Sequence, residues 1–354
     1  MTTDNSVLFN LDDIKKNVRS VFYKKPIKKD NFNLNVDNIE TPQSIRRQRL
    51  LQHQKEKRNE AFDAHRVILE EALQSDVEDV EDIDEEEPME VQLPKKHGSR
   101  RKKKFYANKL MMSEWMLEVP DDFMDRWSMM PCPKGRRNLL VASKGRTEAY
   151  SRRGDKLCEF NSALPGGNGQ EQNRRCTLLD CIWVAKDKTY YVLDVLAWSN
   201  QPLLNCDAEF RHFWLRSKLN ESTELKENNT SQNKYSILSL PSISCDDDVS
   251  DFLQSITSLP PLDGLLFHHR DAEYMSGTTP LVTWLKPFML PEVLGIFVPS
   301  PLDEKPEGYI DFKSHILDKN KNKNKTYHDD SGHAEQLMDV VANGDDNDDT
   351  ILAD

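Results

Sequence analysis

The sequence predicts an α+β fold built on antiparallel sheets, and two observations carry that expectation. Apolar runs with strand character recur at Asn138 to Ala142, Cys176 to Val184, Tyr190 to Trp198, Phe210 to Leu215, Leu262 to Phe267, Leu281 to Leu285 and Val293 to Val298. Helical segments between them are few and short. Polar insertions such as Pro165 to Gly169 and Asn220 to Tyr235 separate the runs instead, which argues against a regular alternation of strand and helix. The folded region expected from this pattern spans residues 105–313.

The rest of the chain is too polar to pack. Its 354 residues are 37% hydrophobic with a mean hydropathy of −0.73, so a large part is expected to be disordered. No apolar run approaches the roughly 20 residues that cross a bilayer, and the N-terminus lacks the apolar core of a signal peptide. The expectation is a soluble intracellular protein with no membrane partner. Cys132, Cys158, Cys176, Cys181, Cys206 and Cys245 form no paired spacing and no Cys/His cluster. Neither a disulfide framework nor a zinc site is expected, only reduced and mostly buried thiols. The net charge of −12 is blocked along the chain, so local sign matters more than the total.

Residues 1–25 hold a short amphipathic segment, with Val7, Leu8, Leu11, Ile14, Val18 and Phe22 at spacings of three and four. A helix so short is marginal in water and is expected to form against a groove on a partner, or else against its own domain. Residues 40–75 predict a long helix, opened by Ser44 as N-cap and studded with Arg46, Arg47, Arg49, Lys55, Lys57, Arg58 and Arg66. Its apolar residues make no continuous stripe, so it is read as lying outside the core, either solvated or wrapped on an acidic partner. Residues 76–104 predict a disordered linker, acidic through Glu90 and then basic from Lys95 to Lys104. The basic run suits nucleic acid, a localisation signal or pairing with the acidic block. Residues 314–354 predict a disordered tail.

Ala107 to Asp121 is where the foldable part begins. Leu110, Met111, Trp115 and Met116 recur at helical spacing before Val119-Pro120, which ends a helix. Trp115 is either a core anchor or an aromatic platform at a pocket edge, with Ser113 beside it as a hydrogen-bonding group. Lys134-Gly135-Arg136-Arg137 joins a turn to a strand and sets cations and a glycine where backbone can approach phosphates, and Arg152 and Arg153 follow the next apolar segment. Trp284 lies near a second strand end. Trp127, Trp183, Trp198 and Trp214 are expected in the core.

No phosphate-binding glycine loop, metalloprotease helix or serine elbow occurs. Tyr191-Val-Leu-Asp-Val, Leu262-Asp-Gly-Leu-Leu-Phe and Trp284-Leu-Lys-Pro, taken with Ser143-Lys144-Gly145-Arg146, resemble the spaced motifs of the RNA-capping guanylyltransferase and ligase family. In that family a lysine in Lys-x-Asp-Gly attacks the nucleotide. Lys144 is followed by Gly145-Arg146-Thr147, and the Asp194 segment lacks the acidic Asp-Gly-Glu pattern, so the resemblance implies the fold without the nucleophile and metal carboxylates. An active nucleotidyltransferase using Lys144 is the alternative reading, and a scaffold with a vestigial pocket is a third.

The arrangement as a whole is similar to the snurportin family. The residues that carry this are Tyr106-Ala-Asn-Lys-Leu-Met-Met-Ser-Glu-Trp, Leu164-Pro-Gly-Gly-Asn, Thr189-Tyr-Tyr-Val-Leu-Asp-Val, Phe210-Arg-His-Phe-Trp, Asp263-Gly-Leu-Leu-Phe and Thr279-Pro-Leu-Val-Thr-Trp-Leu-Lys-Pro. The resemblance implies an mRNA guanylyltransferase-like domain without catalysis or cofactor. It implies binding of the 2,2,7-trimethylguanosine cap of spliceosomal snRNA, and a shuttling adaptor found in nucleus and cytoplasm. It places Ser113, Trp115, Gly135, Arg136, Arg137, Arg152, Leu215, Trp284 and Leu285 at the cap, with Arg152 where a lysine is more usual. It assigns an importin-β-type receptor to the basic residues of 40–75, where Gln48 interrupts the first cluster and His65-Arg66 reduces the last. It assigns an export receptor to Leu8, Leu11, Ile14 and Val18.

Overall fold

Strand β3 (Arg136–Ser143) sends Leu139 and Val141 into one apolar cluster and Leu140 and Ala142 into another. Alternate side chains of a strand point to opposite faces, so an unbroken apolar run marks a strand covered on both sides. The same holds for β11 (Leu262–His269), where Leu266 joins the first cluster while Leu265 and Phe267 join a third. The domain is therefore layered as helices, sheet, sheet, helices. The structure, a computed structural model, describes residues 42–56, 104–169, 174–256 and 258–319. The expectations for 1–25, for Lys57, Arg58 and Arg66, for the acidic block and for the tail from 320 lie outside the described residues.

The first sheet has five strands in the order β1 (Met111–Trp115), β12 (Gly277–Leu285), β11, β2 (Trp127–Pro133) and β10 (Ile243–Ser244). The second has seven. Its order is β5 (Lys156–Phe160), β4 (Arg146–Tyr150), β3, β6 (Cys176–Val184), β7 (Thr189–Trp198) and β8 (Gln201–Pro202), with β9 (Ser236–Ser239) on β7. Pairing is antiparallel except for β1 on β12 and β9 on β7. β2 belongs to the first sheet and β3 to the second, so the turn Lys134-Gly135 carries the chain between layers. The cluster between the sheets holds Met112, Cys132, Leu139, Ile182, Leu193, Leu266 and Trp284. Outside the first sheet lie helices α2 (Phe123–Arg126), α4 (Val249–Ser255), α5 (Leu290–Val293) and α6 (312–319). Outside the second lies α3 (Ala208–Glu221).

Three local expectations are corrected. Residues 111–115 form β1 rather than a helix, because the open edge of β12 offers a partner that outweighs a weak helical spacing. Phe210 to Leu215 lies within α3, not in a strand. Asp207 caps it by accepting from Phe210 N, and Ala208, Arg211, His212, Leu215 and Leu219 make a buried face at helical spacing. Val293 to Val298 is the end of α5 and a loop, stopped at Gly295 with φ of +69°. Beyond these, α6 runs to residue 319 with Phe312 and Ile316 buried, past the expected start of the tail.

The basic helix also departs from expectation. Residues 43–56 form α1, and Gln43, Arg47 and Gln54 on it are buried rather than solvated. Ser44 lies inside the first turn, and its N–H is satisfied by Glu118 across 2.8 Å. Arg46 makes a bidentate pair with Glu114 at 2.5 and 2.7 Å, and Gln43 donates to Trp115 O. Arg47 lies 5.8 Å over the Trp127 ring, and Leu50 and Leu51 pack on Ala208, Ala272 and Leu281. The helix thus covers the outer edge of β1, which would otherwise expose unpaired backbone. Trp127 and Trp198 are buried, while Trp183 and Trp214 are half-buried against the outer cluster. Among the described residues the six cysteines are free thiols, and no helix is long and apolar enough to cross a membrane.

Candidate functional site

The parallel pairing of β1 with β12 sets Trp115 directly beside Trp284, and Met116 N donates to Trp284 O across 3.2 Å. Between Ser113 and Glu114 the register jumps, so this corner of the sheet is irregular. Trp284 turns inward between the sheets and is 1% exposed. Its ring occupies a slot over Gly264, where any Cβ would collide with the indole. The Lys286 ammonium lies 5.6 Å from the ring centre and is paired at 2.5 Å with Asp263. Trp115 is half-buried, in contact with both the inter-sheet cluster and the outer one.

A buried polar group joins this corner to the second sheet. Arg137 donates to Asp180 at 2.9 and 2.7 Å and to Met111 O at 2.6 Å. Tyr274 donates to Asp180 across 2.8 Å and accepts from Met111 N across 3.0 Å. Burial alone would lower the Arg137 pKa, but the Asp180 carboxylate holds it above the ordinary value. The guanidinium is therefore a fixed cation in the inter-sheet layer, tied to the first residue of the strand that carries Ser113 and Trp115. The Ser113 hydroxyl is buried and finds no hydrogen-bond partner among the described residues.

Gly135 and Arg136 sit exposed on the turn between the sheets, where a Cβ on Gly135 would strike Trp183 O. Arg152 lies on the β4–β5 turn, and its carbonyl accepts from Asn108 N just before β1. The structure thus brings together Ser113, Trp115, Arg137 and Trp284, with Arg136 and Arg152 on neighbouring turns. It does not bring Leu215 to this corner. Leu215 lies in the cluster beyond the second sheet, and Leu285 points to the helix side of the first. Of the basic residues on the arm, Arg46 and Arg47 are engaged with the domain, while Arg49 and Lys55 are exposed.

Sequence reasoning missed Asp180, Tyr274 and the slot made by Gly264. A lone Asp inside the apolar run 176–184 was the available signal, because a buried carboxylate requires a cation. Asp194 is held the same way. Arg211 donates to it at 2.9 and 2.8 Å, so both carboxylate oxygens are occupied. Lys144 stands on the tight β3–β4 turn at φ of +53°. Among the described residues no cluster of three or more His, Cys, Asp or Glu is placed to hold a metal.

Comparison with known proteins gives the following. Among solved structures, the ligase domain of LigD from M. tuberculosis matches at 13% identity and a TM-score of 0.34, covering 49% of this chain and 58% of that one. The structure titled Pmar-Lig_PreS3 matches at 13% identity and 0.37, covering 51% and 46%. The chain therefore spans about half the length of these two solved chains. The Snurportin1 m3G cap-binding domain family matches residues 109–287, and the Snurportin1 family matches residues 37–67. The chain belongs to the Snurportin1 family, and residues 109–287 are its m3G cap-binding domain.

Proposed function

We propose that this protein is a non-enzymatic nuclear import adaptor whose domain reads the trimethylguanosine cap of spliceosomal snRNA while its arm recruits an importin-β-type receptor. The observation that carries the cap reading is the match of residues 109–287 to the m3G cap-binding domain family, with the half-buried Trp115 at the position on β1 that faces Trp284 on β12. Stacking a base on an aromatic face contributes about 1–3 kcal/mol, and a cationic N7-methylated guanine adds about 0.5–2 kcal/mol of cation–π attraction. Lys286 supplies a cation to Trp284 in the free protein, and a cationic base takes over that contact. The ammonium stays on Asp263, on a flexible stem that lets it swing aside. Each extra methyl on the exocyclic nitrogen removes a donor and adds about 0.8 kcal/mol of apolar burial.

The absence of catalysis rests on occupied groups. Asp194 spends both oxygens on Arg211, and Lys144 lacks the Asp-Gly that would follow a nucleotidyltransferase lysine. Tryptophan-fluorescence titration of the full chain tests the reading. Quenching is expected to be strongest with a trimethyl-capped dinucleotide, weaker with a monomethyl cap and weaker still with GTP, and lost in Trp284→Ala. No quenching by any cap would overturn cap binding. A covalent guanylate adduct formed with GTP and magnesium, and lost in Lys144→Ala, would overturn the non-enzymatic reading.

The receptor reading is supported by the match over residues 37–67 and by the cations on α1. Leu8, Leu11, Ile14 and Val18 are the proposed contacts of the export receptor that completes shuttling between nucleus and cytoplasm. Arg46 and Arg47 cannot serve a receptor while bound to the domain. Glu114→Gln, which removes about 1 kcal/mol of charge-assisted bonding, is therefore expected to raise importin-β capture several-fold without weakening the fold appreciably. Unchanged capture would mean that the receptor engages only the outward face, through Arg49 and Lys55.

A further inference from the structure

The wall behind Trp115 is not made by the matched domain. Phe312 and His315, on α6, stand nearly perpendicular to the indole, at ring-centre distances of 6.2 and 5.7 Å and angles of 69° and 78°. Both lie beyond residue 287, where the cap-binding domain match ends. The helix is held firmly for this. Asp311 caps it by accepting from Ser314 N at 2.7 Å, Glu292 accepts from Phe312 N at 2.9 Å, and Phe312 and Ile316 are buried in the outer core. Residues three apart share one helix face, so seating Phe312 also aims His315 at Trp115. The His315 Nε2 atom is buried and finds no hydrogen-bond partner among the described residues.

We propose that α6 completes the cap site and that His315 is a specificity-determining residue in it, favouring a cationic methylated base over a neutral one while its imidazole is uncharged. This rests on the cap reading above. With its proton on Nδ1, a neutral imidazole presents the Nε2 lone pair, an acceptor that suits a positively charged ring stacked at Trp115. Protonation turns the same atom into a donor on a cation and reverses the sign. The groups facing His315 fit that role. Burial, with Lys319 on its own helix and Lys286 after β12, holds the imidazole below its usual pKa, opposed only by Asp318. Tyr309 flanks it at a ring-centre distance of 5.8 Å with its hydroxyl committed to Glu292, and Trp115 offers no titratable group.

The test compares an N7-methylated trimethyl cap with the unmethylated dinucleotide by fluorescence titration of the full chain, from about pH 7.5 down to about pH 5. For the unsubstituted protein, the ratio of the two affinities is expected to fall roughly three- to tenfold across that range, the size of a unit charge brought near another at a partly wet site. In His315→Gln the ratio should be lower at the upper pH and flat with pH. His315→Phe, which keeps the packing against Trp115, should also be flat. A second readout is the His315 ring resonance, whose midpoint should move to lower pH when the trimethyl cap is bound, by linkage. A methylated-to-unmethylated ratio that keeps its pH profile in both variants, or a midpoint unmoved by the cap, overturns the role of His315 and leaves cap binding standing. Failure of the unsubstituted protein to bind any cap at the upper pH overturns both.

Discussion

Replacing Arg211 by Met is expected to destabilise the fold by about 3–5 kcal/mol, because it leaves Asp194 ionised and unpaired inside the protein. Arg211 is 0% exposed and its guanidinium also donates to Cys206 O and Ala272 O, at 2.6 and 2.8 Å. It therefore ties α3, the loop before it and the turn after β11 to the centre of β7. Urea unfolding followed by circular dichroism checks the value, and Asp194→Leu/Arg211→Met should recover much of the loss. A single variant as stable as the parent would mean that Asp194 is not charged in the fold.

The pH dependence has a definite sign. Burial would raise the Asp194 pKa, but Arg211, seconded by His212, holds it well below the ordinary carboxylate value. Its contribution is fully present above the unfolded value near about pH 4 and is lost as pH falls toward the folded one. Without Arg211, burial is opposed by His212 alone and the shift is expected to reverse. The variant should then gain stability, relative to the parent, as acid protonates Asp194.

Substituting Gly264 is the second large effect. A Cβ there meets the six-membered ring of Trp284, a side chain that is 1% exposed. Gly264→Val is expected to cost about 1–3 kcal/mol in stability through overpacking. It should also weaken the trimethyl cap by roughly tenfold or more, the worth of one lost stacking contact. Melting temperature and fluorescence titration separate the two. Cap affinity unchanged at a lowered melting temperature would mean that the slot serves packing alone and that Trp284 does not carry the base.

Much of the fold was legible because most strands are apolar on both faces. The runs at Cys176 to Val184 and Tyr190 to Trp198 needed no partner information to be read as strands, and they match β6 and β7 within a residue. The stretches that misled are those with two plausible periods. Met111 to Trp115 has a helical spacing, yet the edge of β12 claims it. Phe210 to Leu215 is apolar enough for a strand, yet its inward residues are Arg211, His212 and Leu215, and the first of these is placed by a carboxylate seventeen positions earlier.

The sequence by itself determined the class of fold and the strands that are apolar on both faces. The tertiary structure alone decided the geometry of the site. It set Trp115 beside Trp284, buried Arg137 on Asp180, folded Arg46 back on Glu114 and brought His315 to the indole. These are pairings between residues 43 to 200 positions apart. Local propensity and spacing act over a few residues, whereas a charge taken out of water must find its partner wherever the packed sheets bring one, and that depends on the whole fold at once.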